Sequence, residues 1–380
     1  MFKSLVVKAL SNRAFFSFLL IMIMMMKKIL VLSLALTPLL LVSEALDIHQ
    51  LKQIATRNNV TCILVFGDSS VDSGNNNRLD TTIKSNFHPY GKDFNNGLPT
   101  GRFCDGRLAT DFIADEFGFT NAIPAFLDPK INNEDLLHGV SFASAGSGYD
   151  DLTANLSKVL SVPQQLVYFK HYKIHLSKFV GLKKAEEIVS NAVFVVSMGT
   201  NDFLQNYYLE PTRPKQFTLE QYQNFLVSRL YSHAKTLYKL GARRLVVVGV
   251  PPFGCMPLVK TLVNQNTCVE SYNKLAFSFN SKIKQKLILM KTTTGLKTAY
   301  LDCYNAIQDA VSHPLKYGLR ECTKGCCATG IIEYGDTCKD MSTCDDPSKY
   351  VFWDAVHPTQ KMYQIIAQKG LQSLDENFFL

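Results

Sequence analysis

Apolar positions recur along this chain in two rhythms. Five short stretches are apolar or β-branched at most positions: residues 62–66, 139–143, 192–198, 244–249 and 297–301. Short runs of this kind, bounded by Gly, Pro or Asn, predict strands, and the unbroken ones predict strands covered on both faces. Between them, apolar residues return every three or four positions, which predicts helices over residues 108–117, 162–179, 218–240, 272–290 and 359–374. The clearest is 218–240. Thr218 and Gln221 form a capping box there, and Gly241 ends the helix. Leu219, Tyr222, Leu226, Leu230, His233, Leu237 and Leu240 share one face, so His233 is expected to be a packed or half-exposed helix residue. Strands alternating with helices imply parallel βαβ units and an α/β, three-layer sandwich around a five-stranded parallel sheet.

Two stretches break the rhythm. Residues 73–108 are polar and rich in Asn, Gly and Pro, too long for an ordinary connection, and are expected to form a functional loop or lid. Residues 14–26 and 29–42 are apolar runs separated by Lys27 and Lys28 and followed by Ser43-Glu44-Ala45. A basic flank, a short apolar core and small residues before a junction predict a secretory signal over residues 1–45, cleaved after Ala45. One of Met24, Met25 or Met26 is an alternative start, and an N-terminal membrane anchor is the rival reading. Residues 46–380 are then a single domain, with no repeat or dividing linker.

The net charge of +8 is mild, and half of it lies in residues 1–45. The other Lys and Arg are dispersed with no basic run, so no nucleic-acid partner is expected. Ten cysteines fit an oxidising compartment. Five fall within residues 322–344, where the spacing matches no zinc pattern and predicts a disulfide-stapled loop of undetermined pairing. Cys255 and Cys268 are placed to close a second small loop, and Cys62 and Cys303 read as free core thiols. Asn59-Val60-Thr61 and Asn155-Leu156-Ser157 are acceptor sequons for glycosylation of Asn59 and Asn155.

The candidate chemistry sits where strands end. Ser69 follows the first strand, Gly146 the second and Asn201 the third, while Asp354 and His357 precede the last helix. In a parallel sheet the C-terminal edges point one way, so these positions can meet at one rim. A serine hydroxyl is a weak nucleophile that needs a base, and an imidazole supplies one. Asp354, three residues before His357, can hold the other ring nitrogen. An ester's oxyanion needs donors, for which the backbone N–H groups of Ser69 and Gly146 and the Asn201 amide qualify, with Gly148 the alternative glycine. A histidine base limits activity on the acid side. No metal or cofactor is required. The G-x-S-x-G nucleophile elbow is absent.

Four blocks carry a more specific likeness: Phe66-Gly67-Asp68-Ser69-Ser70-Val71-Asp72-Ser73-Gly74-Asn75-Asn76, Ser141-Phe142-Ala143-Ser144-Ala145-Gly146-Ser147-Gly148, Gly199-Thr200-Asn201-Asp202, and Phe352-Trp353-Asp354-Ala355-Val356-His357-Pro358-Thr359. With them, the chain from about residue 61 onward resembles the plant-type GDSL esterases/lipases of the SGNH hydrolase superfamily. The resemblance implies a flavodoxin-like sheet, Ser69 as nucleophile, Gly146 and Asn201 in the oxyanion hole, and Asp354 and His357 completing the triad. Ser70, Cys104 and Ala328 depart from residues common in that group (Leu, Ser and Gly), and none holds one of those roles. The expected protein is a secreted, monomeric serine esterase without stable membrane insertion, acting on a small-molecule, lipid or glycan acyl ester. Acyl transfer from the same serine and a non-catalytic binding or defence protein are the alternatives.

Overall fold

The computed structural model describes residues 52–373 and Phe378. The chain divides into Met1–Gln53 and Ile54–Leu380, and everything below belongs to the second unit. The expected signal segment and the junction after Ala45 lie outside the described residues. In chain order the principal elements are β1 (Ile63–Gly67), α1 (Ala109–Glu116), β2 (Gly139–Ser141), α2 (Val162–Val180), α3 (Leu182–Asn191), β3 (Val193–Ser197), α4 (Leu219–Lys239), β4 (Arg244–Val248), α5 (Glu270–Thr294), β5 (Lys297–Leu301), α6 (Cys303–Ser312), β6 (Glu321–Gly325), β7 (Tyr350–Phe352) and α7 (Gln360–Gln372).

The first five strands form one parallel sheet in the order β2-β1-β3-β4-β5. All five were legible as apolar runs. β1 and β3 are buried at every position, as a sheet covered on both faces requires. The pleat sends alternate residues to opposite faces. On one face Phe66, Phe142 and Phe194 meet Phe169 and Tyr172 of α2, with ring centroids 5.0–6.2 Å apart. Helix α4 begins at the expected cap, where the Thr218 side chain accepts from the Gln221 N–H. His233 is buried in it, and burial lowers its pKa to about 4, so it is a packed core residue.

Two of these helices went unread in the sequence. Helix α3 has no side-chain cap, because Gly181 precedes it, and α6 is a short helix started by the Asp302 carboxylate accepting from the Asn305 N–H. The long polar stretch after Ser73 is bound to the body rather than hinged over it as a lid. Arg102 lies buried in it, donating from Nε and Nη2 to the two carboxylate oxygens of Asp111 at 2.9 and 3.0 Å. A second parallel pair, β6 and β7, carries the cysteine-rich loop. Its bridges are Cys326–Cys344 and Cys327–Cys338, and Cys255–Cys268 closes the other expected loop. Cys322 is unpaired, as are the buried Cys62, Cys104 and Cys303.

Candidate active site

Strand β1 delivers Ser69 to the sheet's C-terminal edge through Gly67-Asp68. A Cβ on Gly67 would stand 2.2 Å from the Ser197 carbonyl oxygen, so only glycine lets β1 run this close to the end of β3. Gln165 of α2 clamps the same residue, accepting from the Gly67 N–H and donating to its carbonyl, both at 3.0 Å. The Asp68 N–H then donates to the Ser197 carbonyl. Ser69 is left half-buried, while Asp68 turns inward and accepts from the N–H and hydroxyl of Ser70. Burial pushes the Asp68 carboxyl up to about 6, partly offset by those hydrogen bonds.

The next residues of this block tie the first loop to the second. One Asp72 oxygen accepts from the N–H groups of Gly74 and Asn75, and the other from Ala145 N–H at 3.0 Å. Asn75 donates to the carbonyls of Ser141 and Ala143, and Asn76 to that of Ala145. These short polar side chains therefore satisfy the Ala143 and Ala145 backbone groups and add a second donor to the Ser141 carbonyl, which also accepts from Phe126 N–H. Gly146 follows with φ +83°, a left-handed conformation that other residues adopt at a cost. Gly148 instead lies against the buried Asp202 carboxylate.

His357 arrives from the other end of the chain, in the turn between β7 and α7. Its Nε2 is 2.8 Å from Ser69 Oγ, and its Nδ1 is 2.8 Å from Asp354 Oδ2 and 3.0 Å from Oδ1. Asp354 Oδ1 also accepts from the backbone N–H groups of Val356 and His357, so the carboxylate shapes the turn that carries the ring. Asp354 is fully buried and His357 nearly so. Phe103 packs against the imidazole, with ring centroids 5.0 Å apart.

A residue not singled out in the sequence completes this group. Tyr90, also fully buried, donates its hydroxyl to Asp354 Oδ2 at 2.7 Å and accepts from the Gly335 N–H at 2.7 Å. Burial and the neighbouring Asp354 charge hold the Tyr90 phenol well above its ordinary pKa, so it stays a donor. The disulfide loop braces the same turn from outside. The N–H groups of Cys326 and Cys327 donate to the Trp353 carbonyl at 2.8 Å, and Ala355 N–H donates to Glu333. Tyr90, Phe103, Trp353 and the half-cystines at 326, 327 and 338 form one small core beneath the turn.

Asn201 opens the short helix Thr200–Phe203 after β3. Its amide donates to the Ser147 carbonyl at 2.9 Å, which leaves a second amide hydrogen. Neither the Ser69 nor the Gly146 backbone N–H donates to a protein acceptor among the described residues. Ser69, Gly146, Asn201 and His357 line one open cleft of about 600 Å³, whose walls include Ile83, Lys158, Leu204, Gln205, Leu258 and Tyr334. Phe203, Tyr207 and Tyr208, which follow β3, do not line this cleft. Phe203 is core, stacked with Phe253, while Tyr207 and Tyr208 stack on Tyr222 and Tyr272. The sequon residues Asn59 and Asn155 are both exposed. Among the described residues no cluster of side chains suits a metal, and no helix is long and apolar enough to cross a membrane.

The sequence matches the GDSL-like Lipase/Acylhydrolase family over residues 63–369. A GDSL esterase/lipase of Arabidopsis thaliana is 59% identical over 336 residues, covering 88% of this chain and 94% of that protein. A second from the same plant is 45% identical, covering 81% and 84%. Among solved structures, an acetylxylan esterase from Geobacillus stearothermophilus is a remote likeness, 14% identical with a TM-score of 0.37 over 83% of this chain and 95% of that one. On the family match and the 59% identity, the chain belongs to the GDSL-like lipase/acylhydrolase family.

Proposed function

We propose that this protein hydrolyses carboxylic esters through a covalent acyl-serine, with Ser69, His357 and Asp354 as its triad. The observation that carries this reading is the position of the His357 ring, 2.8 Å from Ser69 Oγ on one side and 2.8 Å from a buried carboxylate oxygen on the other. His357 Nε2 takes the Ser69 proton as Oγ bonds to the ester's carbonyl carbon. Asp354 accepts from Nδ1–H, so the lone pair faces the serine, and it stabilises the imidazolium. The oxyanion receives hydrogen bonds from the N–H groups of Ser69 and Gly146 and from the second amide hydrogen of Asn201. As the ester C–O bond breaks, His357 returns the proton to the leaving alcohol. Water then attacks the acyl-serine by the same route, and the acid leaves. No metal is needed, because the donors are aimed where charge develops.

Initial rates on p-nitrophenyl butyrate, wild type beside Ser69→Ala, test the reading. The variant is expected to lose on the order of 10⁴–10⁶ in kcat. Equal turnover in the two proteins would remove Ser69 from the chemistry.

The reading includes a place of action. Residues 1–45 act as a secretory signal, and the domain works outside the cell, which suits three disulfides. Protein recovered from the medium of expressing plant cells is expected to begin at Leu46. A chain retained in the membrane with residues 1–45 attached would favour the anchor.

A further inference from the structure

The nucleophile borders two spaces. One is the open cleft with its mixed walls. The other is a smaller, more apolar cavity of about 110 Å³ that starts at the same rim and lies against one face of the sheet. Among the described residues, only Ser69, Asn201, Val356 and His357 line both. The two spaces therefore meet where an ester's carbonyl carbon would sit. We infer that this second cavity receives the acyl chain of the ester, one of medium length, while the alcohol portion lies in the open cleft. This rests on the esterase reading above and adds the substrate's acyl class to it.

The cavity's floor is one face of the sheet. Val193, Val195, Val246 and Val248 line it, and the registers Val193↔Arg244, Val195↔Val246 and Ser197↔Val248 keep them on the same side. Strand β4 shows the hollow in its burial. Leu245 and Val247, facing the other layer, are 0% exposed, whereas Val246 keeps 4% and Val248 is only half-buried. A central strand of a covered sheet shows that alternation when one of its layers is not fully packed. The roof comes from Ile113 of α1 and Ile366 of α7. Among the described residues, Asp68 and His357, both at the mouth, are the only charged or titratable acid–base side chains of the Asp, Glu, Lys, Arg and His types on its wall.

Size and polarity choose the occupant. Ile63, Val193, Val246 and Leu301 of four neighbouring strands bound the cavity. A hollow of about 150 Å³ holds one benzene ring, so about 110 Å³ admits a short run of methylenes and no ring. A largely apolar hollow attracts methylenes, each buried one being worth about fourfold in binding. An acetyl group would leave it empty.

The test is the acyl-chain profile. Initial rates are measured with p-nitrophenyl acetate and hexanoate on the wild type. The kcat/KM for hexanoate is expected to exceed that for acetate at least tenfold. In Val246→Phe and Ile113→Phe, which fill the floor and the roof, the hexanoate-to-acetate ratio is expected to fall at least tenfold. A wild-type ratio of one or less, or the same ratio in both variants, would overturn the inference while leaving the esterase reading intact. Turnover of neither ester, or turnover untouched by Ser69→Ala, would instead overturn the esterase reading and this inference with it. A measurement on the unaltered protein guards against variants that do not fold. Inactivation by p-nitrophenyl hexylphosphonate is expected to be at least tenfold faster than by the methylphosphonate, with the adduct on Ser69 by mass spectrometry, and equal rates would also overturn the inference.

Discussion

The Tyr90 hydroxyl donates at 2.7 Å to the Asp354 oxygen that lies 2.8 Å from His357 Nδ1. The two residues are 264 positions apart in the chain, yet both are fully buried and touch. Tyr90 therefore acts on the proposed chemistry through Asp354, as a positioning residue. Its second hydrogen bond, from Gly335 N–H, links that carboxylate to the loop held by Cys327–Cys338.

Tyr90→Phe is expected to lower kcat roughly tenfold, with a smaller change in KM. A hydrogen bond to a charged group is worth about 1.5–3 kcal/mol, and the variant also strands the Gly335 N–H. Steady-state kinetics beside thermal melts check this. A purely structural role would lower the melting temperature and leave kcat per folded molecule untouched.

Asn201→Ala is expected to lower kcat by about 10²–10³, the usual effect of losing one oxyanion donor. Binding of substrate should change less, because the donor matters most when the oxygen carries charge. The substitution also frees the Ser147 carbonyl, so a melt is recorded with each rate. A kcat within threefold of wild type would take Asn201 out of the oxyanion site.

Asp202 sets a pH dependence of stability. Its carboxylate accepts from Tyr149 N–H, Asp150 N–H and the Thr153 hydroxyl, but complete burial outweighs these and raises its pKa from 3.8 to about 7. A group whose folded pKa lies above its unfolded one stabilises the fold fully at low pH, below about 3.8 here. That contribution is lost as pH rises to about 7, and it amounts to no more than about 4 kcal/mol at 1.36 kcal/mol per unit. Melts of wild type and Asp202→Asn between pH 4 and 8 should show the wild type losing ground to the variant as pH rises. Parallel curves would contradict this assignment.

Ala328 occupies a left-handed conformation at φ +53°. Its backbone N–H donates to the Ser342 carbonyl, which holds it there between the two bridges of the cysteine-rich loop. Left-handed geometry costs a non-glycine residue about 1–2 kcal/mol. Glycine gives back about 0.4–1 kcal/mol through the unfolded chain. Ala328→Gly is therefore expected to stabilise the protein by about 0.5–1 kcal/mol, read as a small rise in melting temperature. A fall would mean that the methyl group's packing against Trp353's core outweighs the backbone relief.

Much of this protein was readable because its signals are local. The apolar runs at 62–66, 192–198 and 244–249 became β1, β3 and β4, and Thr218 with Gln221 began α4 as written. Ser69, Gly146, Asn201, Asp354 and His357 stood out because each follows a strand or precedes a helix, and a parallel sheet gathers such positions at one edge. Helix α3 escaped because Gly181 alone separates it from α2, and α6 because Asp302 alone separates it from β5, so neither is set off by a turn.

What the sequence alone determined, then, were the sheet, its long helices and the types of group at its rim, since periodicity, capping and turn chemistry act over a few residues. Tertiary structure alone decided which groups stand within bonding distance. Local spacing carries nothing about Tyr90 meeting Asp354, about Gln165 clamping Gly67, or about Cys322 being left out of the bridges. It also decided that one layer of the sheet stays hollow beside Ser69, because a void depends on how side chains from β3, β4, α1 and α7 fill a shared space.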